Sequence, residues 1–167
     1  QNPKMLEPKH RAVLAFLRMA NVSLDEVANP SSYEVIKAKL EGISNTISDQ
    51  VFTFWKQNEE LDVECDVRAD ATEQAPFNDG PNLYIRVKNR RHRATVPFDK
   101  RSRGFVWFFS FLVWFDSVKQ QVAAGDRAGS AEPILLLDEP GLSLHALAQK
   151  DFLDYIDTLA EKHQVLY

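Results

Sequence analysis

The stretch from Lys100 to Asp116, KRSRGFVWFFSFLVWFD, limits what this chain can fold into more than any other. Between Phe105 and Phe115 every residue except Ser110 is aromatic or aliphatic, and seven of the eleven are Phe or Trp. A surface helix would carry a polar stripe, and this segment carries none. It is also well short of the roughly 20 apolar residues that cross a bilayer. The block therefore predicts a helix covered on nearly every side, lodged between a sheet and a helical subdomain. At 167 residues the chain is long enough to build such a core.

The covering elements are visible in the hydrophobic periods. Residues 8–28 carry two short helical patterns, with Val13, Leu14, Phe16, Leu17 and Ala20 as the apolar stripe. A longer helix starts at SSYE, where Ser31 and Glu34 have capping-box spacing, and runs to about Lys56. Its apolar positions Ile36, Leu40, Ile43, Ile47, Val51 and Phe54 form a narrow stripe suited to packing in a helical subdomain or, as a second reading, to a short coiled protrusion. The period then changes to two. In LDVECDVR, Leu61, Val63, Cys65 and Val67 alternate with Asp62, Glu64, Asp66 and Arg68; in LYIRVKNR, Leu83, Ile85 and Val87 alternate with Tyr84, Arg86 and Lys88. These are half-buried antiparallel strands whose outer faces bear opposite charge. RATVPF adds a short third strand, and ATEQAPFNDGPN is a turn-rich connection.

Beyond the polar stretch AAGDRAGSAEP comes ILLLDEPG, an aliphatic run ending in two acids and a breaker. Four aliphatics in succession predict a strand buried on both faces. A helix over about 146–162 follows, with Leu147, Phe152, Leu153, Ile156 and Leu159 inward, and QVLY opens another strand. Strand, helix, strand makes a βαβ unit, so the expected class is α/β in a mixed α and β chain: a helical subdomain, an antiparallel hairpin and a βαβ portion. A buried parallel strand delivers its last residues to the edge of the sheet where ligands bind. Adjacent acids there point to opposite sides: Asp138 suits Mg²⁺, directly or through water, and Glu139 suits aligning and deprotonating an attacking water. That is a Walker B arrangement.

ILLLDEPGLSLHALAQ resembles the Walker B and D-loop stretch of ABC-type ATPases in the SMC- and RecF-like branch. Together with the preceding RSRGFVWFFSF it resembles the overcoming-lysogenization-defect family of ATPase–nucleases, over roughly residues 50–167. The resemblance implies a P-loop NTPase sheet of ABC type, ATP and Mg²⁺ as cofactors, and Glu139 as catalytic carboxylate. It places Ser143, Leu144 and His145 in a D-loop facing a second ATPase head, in a homodimer. It puts Ser102 and Gly104 in a signature motif against the γ-phosphate, with Arg103 departing from the common Ser-Gly-Gly core. On that basis residues 1–58 form the helical subdomain, coiled or bundle-like, 59–100 the hairpin region and 101–167 the signature, Walker B and D-loop part. No G-x-x-x-x-G-K-[ST] occurs among the six glycines, the switch histidine expected after the last strand is beyond it, and His163 precedes that strand. A metal-dependent nuclease domain usually lies further downstream in the family. The missing initiator Met and the stop at HQVLY read as a piece of a larger protein.

Composition narrows the partners. Twenty basic against twenty-four acidic residues give a net charge of −4, which excludes a generally basic nucleic-acid binder. Residues 86–103 nevertheless hold eight Lys and Arg against Asp99 alone, net +7, so DNA is a possible partner there. The plainer reading pairs the hairpin cations with Asp62, Glu64 and Asp66. Those three acids read as a solvated strand face rather than a metal site, lacking convergent ligands from elsewhere, and His10, His92 and His145 stand alone without metal-ligand spacing. Cys65 stands alone on an apolar strand face, which points to inert core, no internal disulfide and a reducing cytoplasm. Neither a signal peptide nor a membrane partner is expected. The function expected is ATP binding and hydrolysis between dimerised heads, driving or regulating DNA processing, with phage defence as one setting. A non-catalytic ATP-gated interaction module and a structural fragment that binds no nucleotide are the alternatives.

Overall fold

The computed structural model describes residues 8–29, 32–75, 77–123 and 134–166, with the side chains of 8–11 and 123 excepted. Within them the chain is mixed α and β. Helices α1 (Pro8–Met19), α2 (Leu24–Ala28) and α3 (Tyr33–Phe54) lead into strands β1 (Leu61–Ala69), β2 (Pro81–Asn89) and β3 (Ala94–Pro97). A 3₁₀ turn at Phe98–Lys100 precedes α4 (Arg103–Ala123), and then come β4 (Ile134–Leu136), α5 (Ala146–Ala160) and β5 (Gln164–Leu166). The first three strands form an antiparallel sheet in the order β1-β2-β3, and β4 pairs with β5 in parallel. No helix among the described residues is long and apolar enough to cross a membrane.

Helix α3 lies on the antiparallel sheet. Ile36, Leu40, Ile47 and Val51 are buried there, against the inward residues Leu61, Val63, Cys65 and Val67 of β1. Two buried serines complete the contact. Ser48 Oγ accepts a hydrogen bond from the Val63 amide at 2.8 Å and donates to the Ser44 carbonyl at 2.7 Å, so helix and strand are joined by a satisfied polar link as well as by apolar area. On the outer face Lys88 reaches Glu64 at 2.9 Å, a diagonal pair, since the residue directly opposite Glu64 is Arg86. Arg90 meets Asp62 at 3.2 Å, but Asp66 pairs with Lys37 of α3 at 3.6 Å rather than with a hairpin cation.

The aromatic block becomes α4, packed against α1, α3 and α5. Phe105, Phe108, Phe109, Leu112, Val113 and Phe115 are buried. Trp55, in the turn after α3, sits edge-on to Phe105 with centroids 5.4 Å apart, and Phe108 and Phe111 meet Phe152 and Tyr155 of α5. Edge-to-face packing of this kind adds stabilisation beyond the buried area.

Four expectations differ from the structure or fall outside it. The expected strand ILLL is not buried on both faces: Leu135 is buried, but Ile134 is 60% and Leu136 72% exposed, because two strands leave one side of this small sheet uncovered. Leu147 and Leu153 point outward, and Ala148, Asp151, Phe152, Tyr155, Ile156 and Leu159 form the inner face of α5 instead. Ser31 and the stretch 124–133 lie outside the described residues. The α3 N-cap is Ser32, without a side-chain bond. A complete capping box stands instead at α2, where Ser23 Oγ accepts from the Glu26 amide at 3.1 Å and Glu26 Oε2 from the Ser23 amide at 2.8 Å.

Candidate functional site

Two loops that are far apart in sequence meet at the start of α4. Ser102 precedes the helix and caps it: its Oγ accepts the Phe105 amide at 3.3 Å, and its carbonyl accepts the Val106 amide at 3.0 Å. The next turn carries buried Gly104, where a Cβ would stand 3.2 Å from both the Leu144 Cδ2 and the Ser143 carbonyl oxygen. Glycine is therefore what allows residues 143–144 to lie directly on the helix. The helix end carries partial positive charge, and Arg101 and Arg103 add formal charge beside it. Arg101 lies over the Phe105 ring, 5.4 Å from its centroid, with its Nε buried and lacking a hydrogen-bond partner among the described residues.

The second loop leaves β4. The Leu137 amide bonds the Leu166 carbonyl at 2.9 Å, after which Asp138 and Glu139 stand exposed at the carboxyl end of the strand. Glu139 has φ of 42°, in the left-handed region that non-glycine residues seldom occupy, and it directly precedes Pro140. The loop then closes on itself. The Leu142 amide bonds the Glu139 carbonyl at 3.2 Å, and the Leu144 amide bonds the Gly141 carbonyl at 3.0 Å. Gln149 Nε2 of α5 also donates to the Gly141 carbonyl, at 3.1 Å. Ser143 and His145 are exposed, and His145 occupies the N-cap position of α5 without a side-chain bond. The structure thus gathers Ser102, Arg103, Gly104 and Ser143 at one place. Asp138 and Glu139 share their loop with Ser143, and no side-chain hydrogen bond among the described residues ties them to the α4 end. The described residues include no cluster of three or more His, Cys, Asp or Glu able to enclose a metal.

Beside the α4 N-terminus lies a groove of about 620 Å³. Arg101, Arg103 and Ser143 line one end, and Trp107, Ser110, Phe111 and Trp114 run along it. A nearly all-apolar helix reads as core throughout, so this open face is not evident from composition. Spacing does not mark it either: positions 107, 111 and 114 share one helical face, but so do the buried 105, 109 and 112. Also unforeseen is Asp151, buried on α5, which accepts the Lys56 amide at 3.0 Å and Gln57 Nε2 at 3.3 Å and so ties the end of α3 to α5. Cys65 is buried as expected, and burial pushes its thiol up to about 12 despite a hydrogen bond with Ser44 that acts the other way.

No family model matches the chain. An uncharacterized protein of Methanocaldococcus jannaschii is 32% identical over 80 residues, covering 48% of this chain and 20% of the relative. The chain therefore spans about a fifth of the length of the curated relative it matches.

Proposed function

We propose that the chain is part of an ABC-type ATPase head, similar to those of the overcoming-lysogenization-defect family, which binds ATP and Mg²⁺ between two heads and hydrolyses the nucleotide to regulate DNA processing in the cytoplasm. The packing of Gly104 on Ser143 and Leu144 carries this reading, because it joins two motifs about forty positions apart that an ATPase head needs side by side. The capped, arginine-flanked start of α4 supports a phosphate contact through Ser102, Arg103 and Gly104. Ser143 and His145, exposed on the adjoining loop, would face the second head.

The donor set fits Mg²⁺, which commonly takes one or two carboxylates and completes its shell with water and phosphate oxygens. Asp138, exposed at the end of β4, would hold it. When bound, the ion neutralises phosphate charge. Glu139 would orient an attacking water and take its proton, and its left-handed backbone fits a side chain aimed by the loop rather than by the strand.

The test is hydrolysis by the intact protein. Glu139→Gln keeps size and removes the base, so kcat should fall by roughly 10² or more. An unchanged rate removes Glu139 from the role assigned to it. Nucleotide-dependent dimerisation without hydrolysis in either protein would assign a non-catalytic, ATP-gated interaction module.

A further inference from the structure

We infer that the groove beside the α4 N-terminus binds single-stranded nucleic acid, with a base stacked on its exposed tryptophan and phosphates held at its arginine end. This names a partner for the same end of α4 but rests on the groove itself, not on ATP hydrolysis.

The wall is formed by Trp107, Phe111 and Trp114, at spacings of four and three on one helical face. Trp107 and Phe111 stack nearly parallel, 4° apart in plane with centroids 5.6 Å apart, and Trp114 follows at 6.4 Å from Phe111. Trp114 is 41% exposed on a helix whose other aromatics are buried or half-buried. Trp107 and Phe111 turn their faces to each other and pack on Phe152, so the exposed Trp114 is the ring of this wall that offers an unpaired base a stacking surface. The end of the groove supplies charge. Arg101 and Arg103 line it. Among the described residues the lining includes one acid, Asp99, which stands exposed and within 3.3 Å of Lys100. Upstream, Arg91 and Arg93 stand exposed in the turn between β2 and β3, within the segment of net charge +7 that leads into the groove.

The chemistry favours an unpaired strand over the alternatives. A duplex hides its base faces and can meet only the cations. A peptide backbone needs acceptors as well as donors, whereas the free polar groups at the arginine end are mainly donors, which suits phosphate oxygens.

The test uses the full chain without ATP or Mg²⁺ and a fluorescein-labelled thymidine 12-mer. Fluorescence anisotropy should report binding that weakens as salt rises, accompanied by quenching of tryptophan emission. Trp114→Leu keeps an apolar side chain and removes the ring face. Its affinity should drop at least fivefold, the lower end of one base–aromatic stack. Arg103→Gln should weaken binding and flatten the salt slope by about one phosphate contact. Leu153→Ala, exposed on α5 outside the groove, should bind like the parent, with circular dichroism confirming that each variant is folded. A duplex of equal length should bind more weakly and ignore Trp114→Leu. The inference is overturned by absence of binding, by equal affinity for duplex and single strand, or by single-strand binding that Trp114→Leu leaves intact. It is also overturned if an acidic peptide, and not the oligonucleotide, quenches the tryptophans. The Glu139 test on the intact protein is unaffected by any of these results.

Discussion

Single atoms decide two properties of this chain. At Gly104 a Cβ would stand 3.2 Å from the Ser143 carbonyl oxygen, a backbone atom that cannot rotate aside. Gly104→Ala gains helix propensity, by no more than about 1 kcal/mol in a helix interior and less in a first turn. The clash at 3.2 Å opposes it, so overall stability should change by less than about 1 kcal/mol. The loop carrying Ser143 must shift by a few tenths of an ångström, and ATP hydrolysis by the intact protein should fall more than tenfold on the ATPase reading. Paired thermal-melt and rate measurements separate the two effects; a normal rate would mean that the contact is only packing. At Cys65 burial raises the thiol from 9.0 to about 12. For an acid whose pKa is higher when folded, the unfolded chain ionises first and binds fewer protons, so stability is full below 9 and falls as pH rises toward 12. Tyr155, also raised by burial and secondarily by the Asp116 carboxylate, adds to the same slope. Urea denaturation at pH 8, 9 and 10 should show this decline, and Cys65→Ala should make it shallower without removing it.

At the scale of elements, legibility depended on whether periodicity alone determined the outcome. The inward residues of β1 and the stripe on α3 were readable, because alternation and three-four spacing leave one apolar face and one polar face. Helix α4 was readable as buried but not in its open face, since an all-apolar segment has no polar side to mark which residues look outward. On α5 the error had another cause: Leu147 and Leu153 are apolar yet exposed, whereas buried Asp151 is polar and bonds elements about 95 positions apart, which no local pattern contains. The site was legible as two motifs, but their meeting at Gly104 depended on long-range packing. Asp151 also gives the element-scale prediction. Its carboxylate accepts the Lys56 amide and the Gln57 amide group just beyond α3. Asp151→Ala leaves both donors unmatched in a part-buried place and should destabilise the chain by about 1–3 kcal/mol. Asp151→Asn keeps one acceptor oxygen and should lose less, measured by urea midpoint at constant slope. Equal midpoints for all three proteins would show that water replaces the carboxylate.

Across the whole molecule the two sheets are unequally covered. The antiparallel sheet has α3 on one face and charge pairs on the other, a normal arrangement for such sheets. The parallel pair does not follow the rule for its kind. Parallel strands are ordinarily covered on both faces, yet Ile134, Leu136 and Leu166 stand 60%, 72% and 61% exposed on one side of β4–β5. These three residues lie on one face, since Leu136 is opposite Leu166 in the register and Ile134 is two residues before it. Among the described residues β4 and β5 pair only with each other, and an apolar face beside unpaired strand edges is a template for association. The chain studied by itself should therefore self-associate as its concentration rises into the micromolar range, seen as a rising weight-average mass in sedimentation equilibrium. Ile134→Lys combined with Leu136→Glu places charge on that face at positions that make no core contact. The double variant should remain monomeric over the same range and keep the parent's circular dichroism spectrum, because the core of the unit is formed by Leu135, Val165 and α5 on the opposite side. Association that survives the double variant would assign it to another surface.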